Sequence, residues 1–348
     1  MRVMLLAAGR STRLGSIGQI LPKPLVPICG YPAIRFGIAA CAAAGQCDIV
    51  INLFHHGDLI RQTLGDGSEW GVRLQYSLET ELLGTAGGIA NARAQLGEGA
   101  VLVMNAKVVA DVDLDALVRT HAHAESPQSP TRAPEATLLL RDDPRAIEWG
   151  PIGVDRERRV VSILGVTSPH APLADNSGST TIRMFTGIQV IGAAMRARLQ
   201  PVPSDTVRDA YIPALLAGGR IESDLLRGYF AEHSTPERYL AGNFALLRNP
   251  ELIRHPPGPL VGVDPAATVH RTATIVPPVR IARGAVVEAH AIVGPDVVIG
   301  AGSAVAAGAR ISRAIVWPDT RVTGVVGDAV VTSDGAHHAC VAEPTSPG

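Results

Sequence analysis

The residues near the start of this chain suit the handling of phosphate. Ala7, Ala8, Gly9 and Ser11 follow a short apolar run, Val3 to Ala7. With so little side chain in the way, their backbone N–H groups can approach an anion closely, as in strand-end loops that cradle phosphates. Thr12 continues the loop, and Arg13 and Lys23 add fixed positive charge. Pro22 and Pro24 flank Lys23 and restrict the backbone on both sides, so the ammonium is presented with little conformational choice. Of the 31 basic residues only two, Lys23 and Lys107, are lysine. In a chain so rich in arginine, this suggests that a compact ammonium is wanted there rather than a guanidinium fork.

A second segment, Glu79 to Gly88, runs off a strand into a helix as ETELLGTAGG. The small residues Gly84, Thr85, Ala86 and Gly87 would let a flat nucleobase or sugar lie against the backbone, while Glu79 or Glu81 supplies hydrogen bonds. A third follows the apolar run Val101 to Met104 and reads Asn105-Ala106-Lys107. The histidine pairs His55-His56 and His121/His123 complete no metal-ligand pattern; the first reads as strand-end and the second as helix-surface.

The elements that must position these groups alternate. Strands are predicted at Val3 to Ala7, Asp48 to Leu53, Val72 to Ser77 and Val101 to Met104, with helices at Pro32 to Ala44 and Gly57 to Leu64. Such alternation argues for a layered α/β domain with a mostly parallel sheet, which places site residues at the C-terminal ends of the strands. At 348 residues the chain accommodates two domains. The N-terminal MRVMLLAAGR lacks the cleavage region of a signal peptide. No apolar run reaches the roughly 18 residues of a membrane span, so a cytoplasmic protein with no membrane partner is expected. A net charge of −1 without basic runs argues against a nucleic-acid partner. Cys29, Cys41, Cys47 and Cys340 form neither a C-x-x-C site nor a disulfide framework.

From about Gly258 an aliphatic residue recurs every six positions: Val263, Val269, Ile275, Ile281, Val287, Val293, Ile299, Val305 and Ile311. A six-residue period is a signature of a parallel β-helix, whose coils stack their aliphatic ladders. Flat sides and a free end suit it to assembly. The segment from Asp334 reads as a loose tail.

Gly9-Arg10-Ser11-Thr12-Arg13-Leu14 and Pro22-Lys23-Pro24-Leu25 resemble the paired signature G-x-G-T-R-L and P-K-P-L of the sugar-1-phosphate nucleotidylyltransferases. Ser11 stands for the second glycine and keeps its N–H. The resemblance implies a Rossmann-like, GT-A-like nucleotidyltransferase domain over residues 1–250, with a mixed, mostly parallel sheet. A left-handed parallel β-helix of hexapeptide repeats follows over 258–333, then the tail 334–348. It implies transfer of a nucleotidyl group from an NTP, GTP or UTP, to a sugar 1-phosphate, with Mg²⁺ as cofactor. The Thr85-Ala86-Gly87-Gly88 variant leans toward the mannose-1-phosphate guanylyltransferase-like members. By the same resemblance, Ala7, Ala8, Gly9, Ser11, Thr12, Glu79, Gly84, Thr85 and Ala86 hold the nucleotide, and Gly87, Thr186 and Gly187 the sugar. Arg13 steadies the departing pyrophosphate, and Lys23 stabilises charge at the α-phosphate.

This chain departs from the pattern in three places. Ala106-Lys107 stands where the family has Gly-Asp, and Glu232 stands for the second metal-binding Asp. Ile163-Leu164-Gly165 replaces the Glu-Lys-Pro whose lysine holds the sugar phosphate, a role then left to Arg183 or Arg145. Three outcomes follow. Lys107 joins Arg13 and Lys23 as a catalytic cation in an enzyme of altered metal dependence, or the chain is a silent nucleotide- or NDP-sugar-binding paralogue that regulates an active partner, or binding is lost too and only a scaffold remains. Homo-oligomerisation through the β-helix is expected, and the silent outcome adds a paralogous active subunit as partner.

Overall fold

The computed structural model describes residues 1–9, 14–125, 133–171 and 180–339. The chain divides into two compact units. The first comprises Met1–Gly9, Gly37–Ala106 and Val112–Gly228. The second comprises the described residues within Arg10–Phe36, Lys107–Asp111 and Tyr229–Gly348. In chain order, the strands before residue 250 are β1 (Arg2–Leu6), β2 (Pro27–Ile28), β3 (Tyr31–Pro32), β4 (Asp48–Leu53), β5 (Arg73–Leu78), β6 (Val101–Asn105) and β7 (Val108–Ala110). They continue as β8 (Ala136–Arg141), β9 (Pro151–Val154), β10 (Val160–Ile163), β11 (Val166–Thr167), β12 (Thr181–Ile191), β13 (Ile221–Leu225) and β14 (Phe230–Glu232).

The first unit is built on a mixed sheet in the order β11-β10-β9-β12-β6-β1-β4-β5, with β8 paired to β12 and β13. Strands β6, β1, β4 and β5 run parallel and in register: Leu6 lies opposite both Asn105 and Asn52, and Asn52 opposite Ser77. Their unbroken apolar runs are explained by burial on both faces, with Val3, Met4, Ile51, Leu102 and Val103 all fully enclosed. Strand β12 runs antiparallel to β6, β8 and β9, and its pairing with β8 slips between Phe185 and Ile188. Gly187, at φ +75°, takes up that bulge. The region read from sequence as one helix, Asp205 to Leu216, winds as a π-helix over Thr206–Tyr211 before the α-helix Ile212–Leu216. His121, expected on a helix surface, is fully buried and hydrogen-bonded through Nδ1 to Thr137 Oγ1 at 2.9 Å.

In the second unit, β2 and β3 form a hairpin turning at Cys29 (φ +48°) and Gly30 (φ +87°), and β7 pairs antiparallel with β14. The helix Pro236–Arg248 starts with Thr235 accepting from the Arg238 N–H and with proline in its first turn. Tyr239, Phe244, Leu246 and Leu247 from this helix share one apolar cluster with Val26, Ile28, Val109, Ile315 and Trp317.

The repeat region is a parallel β-helix. Each inward residue pairs with the one a full coil on: Val263 with Ile281, Val287 with Val305, and Ile275 with Val293. Three hexapeptides thus make one coil, giving three faces. After Ile311 the coil shortens, pairing Ile299 with Val316 and then Ile311 with Val326. There the strands Arg310–Val316 and Val325–Val331 each turn a corner without interruption, bending at Arg313 and Asp328, both with φ +48°. The expected loose tail is ordered in part: His337–Ala339 adds an antiparallel strand to Ala329–Val331. Residues 340–348 lie outside the described residues.

Candidate functional site

In the first unit the site residues gather at the C-terminal edge of the parallel strands, and Asn52 is the centre of the arrangement. Its Oδ1 accepts the Ala7 N–H at 2.7 Å, and its Nδ2 donates to Glu79 Oε1 at 2.6 Å. Glu79 Oε2 accepts the Leu83 N–H at 3.1 Å, so the carboxylate pins the turn into the helix Gly84–Asn91. Both side chains are buried, at 2% and 4% exposure, and burial raises the Glu79 pKa despite the Asn52 hydrogen bond. Gly88 is required for this packing, because a Cβ there would lie 2.7 Å from Glu79 Oε1 and 2.8 Å from Asn52 Nδ2. Glu79 therefore sets the register of strand and helix ends, while Glu81 is exposed.

The Gly84–Asn91 helix is tied to the segment before the π-helix. The Ala86 N–H donates to the Ser204 carbonyl at 3.0 Å, and the Thr85 hydroxyl donates to Asp205 Oδ2 at 3.1 Å while accepting the Thr206 N–H at 2.8 Å. Gly84 has φ +71°, and a Cβ on it would meet the Ser204 carbonyl oxygen at 2.5 Å. On β12 the buried Thr186 donates to the Leu139 carbonyl at 2.6 Å and accepts the Ile188 N–H at 3.2 Å, which holds the bulge at Gly187. A side chain at Gly187 would collide with Asn105 Nδ2. Arg183 and Arg145 each have a carboxylate partner: Arg183 pairs with Asp142 at 2.9 Å and Arg145 with Asp143 at 3.0 Å.

In the second unit, Lys23 opens a 3-10 turn, Lys23–Leu25, whose Val26 N–H donates back to the Lys23 carbonyl at 3.3 Å. Elsewhere in that unit, the antiparallel pairing of β7 with β14 brings Lys107 beside Glu232, with Nζ 2.8 Å from Oε1 and both side chains largely buried. His233, next in sequence, is 3% exposed and neither ring nitrogen has a hydrogen-bond partner. Burial lowers its pKa to about 4, so the imidazole is neutral near pH 7. The bare backbone of Gly242 makes room for that ring.

These residues do not fit a divalent cation. Mg²⁺ takes oxygen ligands in near-octahedral geometry. Here, of the two positions where the resemblance places metal ligands, one carries an ammonium that is ion-paired to the carboxylate at the other. Among the described residues no group of three or more His, Cys, Asp or Glu side chains could hold a metal ion. Ser11, Thr12 and Arg13 lie outside the described residues. Asn52 was missed from the sequence, although a lone amide at the end of the apolar run Ile49 to Leu53 is a usable signal for a strand-edge site.

Residues 2–168 match the family described as nucleotidyl transferase. Mannose-1-phosphate guanylyltransferase of Mycobacterium tuberculosis is 29% identical over 82% of this chain and 74% of its own length. N-acetylmuramate alpha-1-phosphate uridylyltransferase of Neisseria meningitidis is 38% identical over 41% of this chain and 66% of its own. A crystal structure from Bacillus anthracis described as a glucose-1-phosphate thymidylyltransferase shares the fold, with TM-score 0.58 and 21% identity over 72% of this chain and 96% of its own. Among the described residues no helix is long and apolar enough to cross a membrane. Over residues 2–168 this chain is similar to the nucleotidyl transferase family, and the relatives it matches are named for transfer to sugar 1-phosphates.

Proposed function

We propose that this protein transfers a nucleotidyl group from an NTP to a sugar 1-phosphate, giving an NDP-sugar and pyrophosphate, with GTP and mannose 1-phosphate the favoured pair. The observation that supports this best is the hydrogen-bonded chain Ala7, Asn52, Glu79, Leu83. It fixes the end of the phosphate-loop strand against the segment that would receive the base. In the reaction a phosphate oxygen of the sugar 1-phosphate attacks the α-phosphorus of the NTP, and the bond to pyrophosphate breaks. Catalysis of this kind is mostly positioning and neutralisation of charge. Backbone N–H groups after β1 hold the phosphates, Arg13 steadies the leaving pyrophosphate, and Lys23 stabilises charge at the α-phosphate. Gly84 to Gly87 flank base and sugar, and Thr186 and Gly187 line the sugar side. The reading includes a cytoplasmic setting and a homo-oligomer formed through the β-helix.

The Lys107–Glu232 pair favours a second reading, in which the chain binds nucleotide or NDP-sugar without turnover and regulates an active paralogue. The ammonium then neutralises the carboxylate that would otherwise attract a cation. One assay separates the two: pyrophosphate release with GTP or UTP, mannose 1-phosphate or glucose 1-phosphate, and Mg²⁺ or a chelator. Release with any pair supports transfer. No release, with GDP-mannose still raising the melting temperature, supports the silent binder. Absence of both removes both readings.

A further inference from the structure

Lys23 belongs to the same compact unit as the β-helix, and one buried hydrogen-bond relay runs from the β-helix to the segment just after it. Trp317, 1% exposed, donates its indole Nε1–H to the Tyr239 hydroxyl at 3.1 Å. That hydroxyl donates in turn to the Pro27 carbonyl at 2.6 Å, and Tyr239 is fully enclosed. Pro27 opens β2, immediately after the Lys23–Leu25 turn that closes on Val26. A parallel link lies beside it: Asn243 Oδ1 accepts the Cys29 N–H at 2.7 Å, and Asn243 Nδ2 donates to the Tyr239 carbonyl at 2.9 Å. The far end of the relay is equally fixed. The Trp317 N–H donates to the Val331 carbonyl at 2.9 Å, and the Trp317 carbonyl accepts from Ser303 Oγ at 2.7 Å, so the indole is stapled to coils on either side. Gly300 permits this, since a Cβ there would fall 2.6 Å from the Trp317 carbonyl carbon.

We infer that Tyr239 and Trp317 are positioning residues for Lys23, and that the β-helix thereby holds the turn that presents this ammonium to phosphate. The mechanical part stands on the hydrogen bonds; its consequence for phosphate rests on the proposed role of Lys23. A buried relay of this kind has no water to replace a lost partner, so removing one group leaves the next unsatisfied. Trp317→Phe keeps an aromatic ring and deletes the N–H donor. Tyr239→Phe deletes the central hydroxyl.

Amide hydrogen exchange on the full-length protein tests this without any ligand. Both variants are expected to exchange roughly fivefold faster over residues 23–33, with β4 in the first unit unchanged and a Glu288→Ala control on another β-helix face without effect. Unchanged exchange over 23–33, with acceleration confined to the coils around Trp317, overturns the inference; if Tyr239→Phe does not fold, Trp317→Phe decides. Calorimetric titration with GDP-mannose then reads the functional part. Weakening of about the same factor in the relay variants supports it, and unchanged affinity overturns it. If the wild-type protein binds neither GTP nor GDP-mannose, the role given to Lys23 fails and its positioning for phosphate fails with it, while the exchange result still decides the mechanical link.

Discussion

Two carboxylates mark the two units, and their partners differ in kind. Glu79 in the first unit receives hydrogen bonds from the neutral donors Asn52 Nδ2 and Leu83 N–H. Glu232 in the second meets the full charge of Lys107. Behind Glu79 the polar groups are matched through to Ala7, whereas behind Glu232 sits His233 with two unpartnered nitrogens. A matched buried network fixes one arrangement and tolerates little change. An ion pair beside an unsatisfied ring leaves more room for substitution. The first cluster reads as architecture and the second as a local charge balance set by the register of two short strands.

The contrast can be broken at its strong end first. Asn52→Ala strands the Ala7 N–H and one Glu79 oxygen in a buried setting, and a loss of about 3–4 kcal/mol in denaturant unfolding is expected. A loss under 1 kcal/mol would mean that the network is not rigid. His233 comes next. With its pKa lowered to about 4, the folded protein binds fewer protons than the unfolded chain between that value and the ordinary histidine range. Stability is therefore full above about pH 6.5 and falls as pH drops through that window, by about 2–3 kcal/mol. His233→Leu should flatten the slope. Lys107→Ala leaves Glu232 partly buried without its ion pair and should cost about 1–2 kcal/mol. Lys107→Asp sharpens the comparison furthest in kind. It places two carboxylates together, lowers stability in chelator, and should make the melting temperature rise with Mg²⁺ by a few degrees, the mark of a created site. The parent protein should show no such rise.

The sequence was most legible where pattern and chemistry coincide. The buried strands Val3 to Ala7 and Asp48 to Leu53, the helix Gly57–Leu64 and the six-residue ladder are written as apolar period, and the structure reproduces them. The ladder lost its phase after Ile311 because the next inward residue, Val316, comes one position early. A fixed-period scan cannot see a corner turned by a single left-handed residue. The site was legible as residue types and not as roles. The chemistry of Glu79 and Thr85 suggested ligand contacts, yet both side chains are engaged with the protein, because their partners Asn52 and Asp205 are distant in sequence. The ion pair of Lys107 was equally hidden, since it depends on the antiparallel register of β7 and β14.

The shortening coils of the β-helix carry one more consequence. In the language of polymers, the repeat has a live end and a partly capped one. Strands Gly262–Val263, Thr268–Val269 and Thr274–Ile275 pair on one side only among the described residues, and Val263 is 44% exposed. At the other end the coils contract and an antiparallel strand covers Ala329–Val331, while Arg321–Val322 still pairs on one side only among the described residues. An unpaired strand edge is a template for strand addition, and among the described residues this repeat presents more of it at the first coil than at the last.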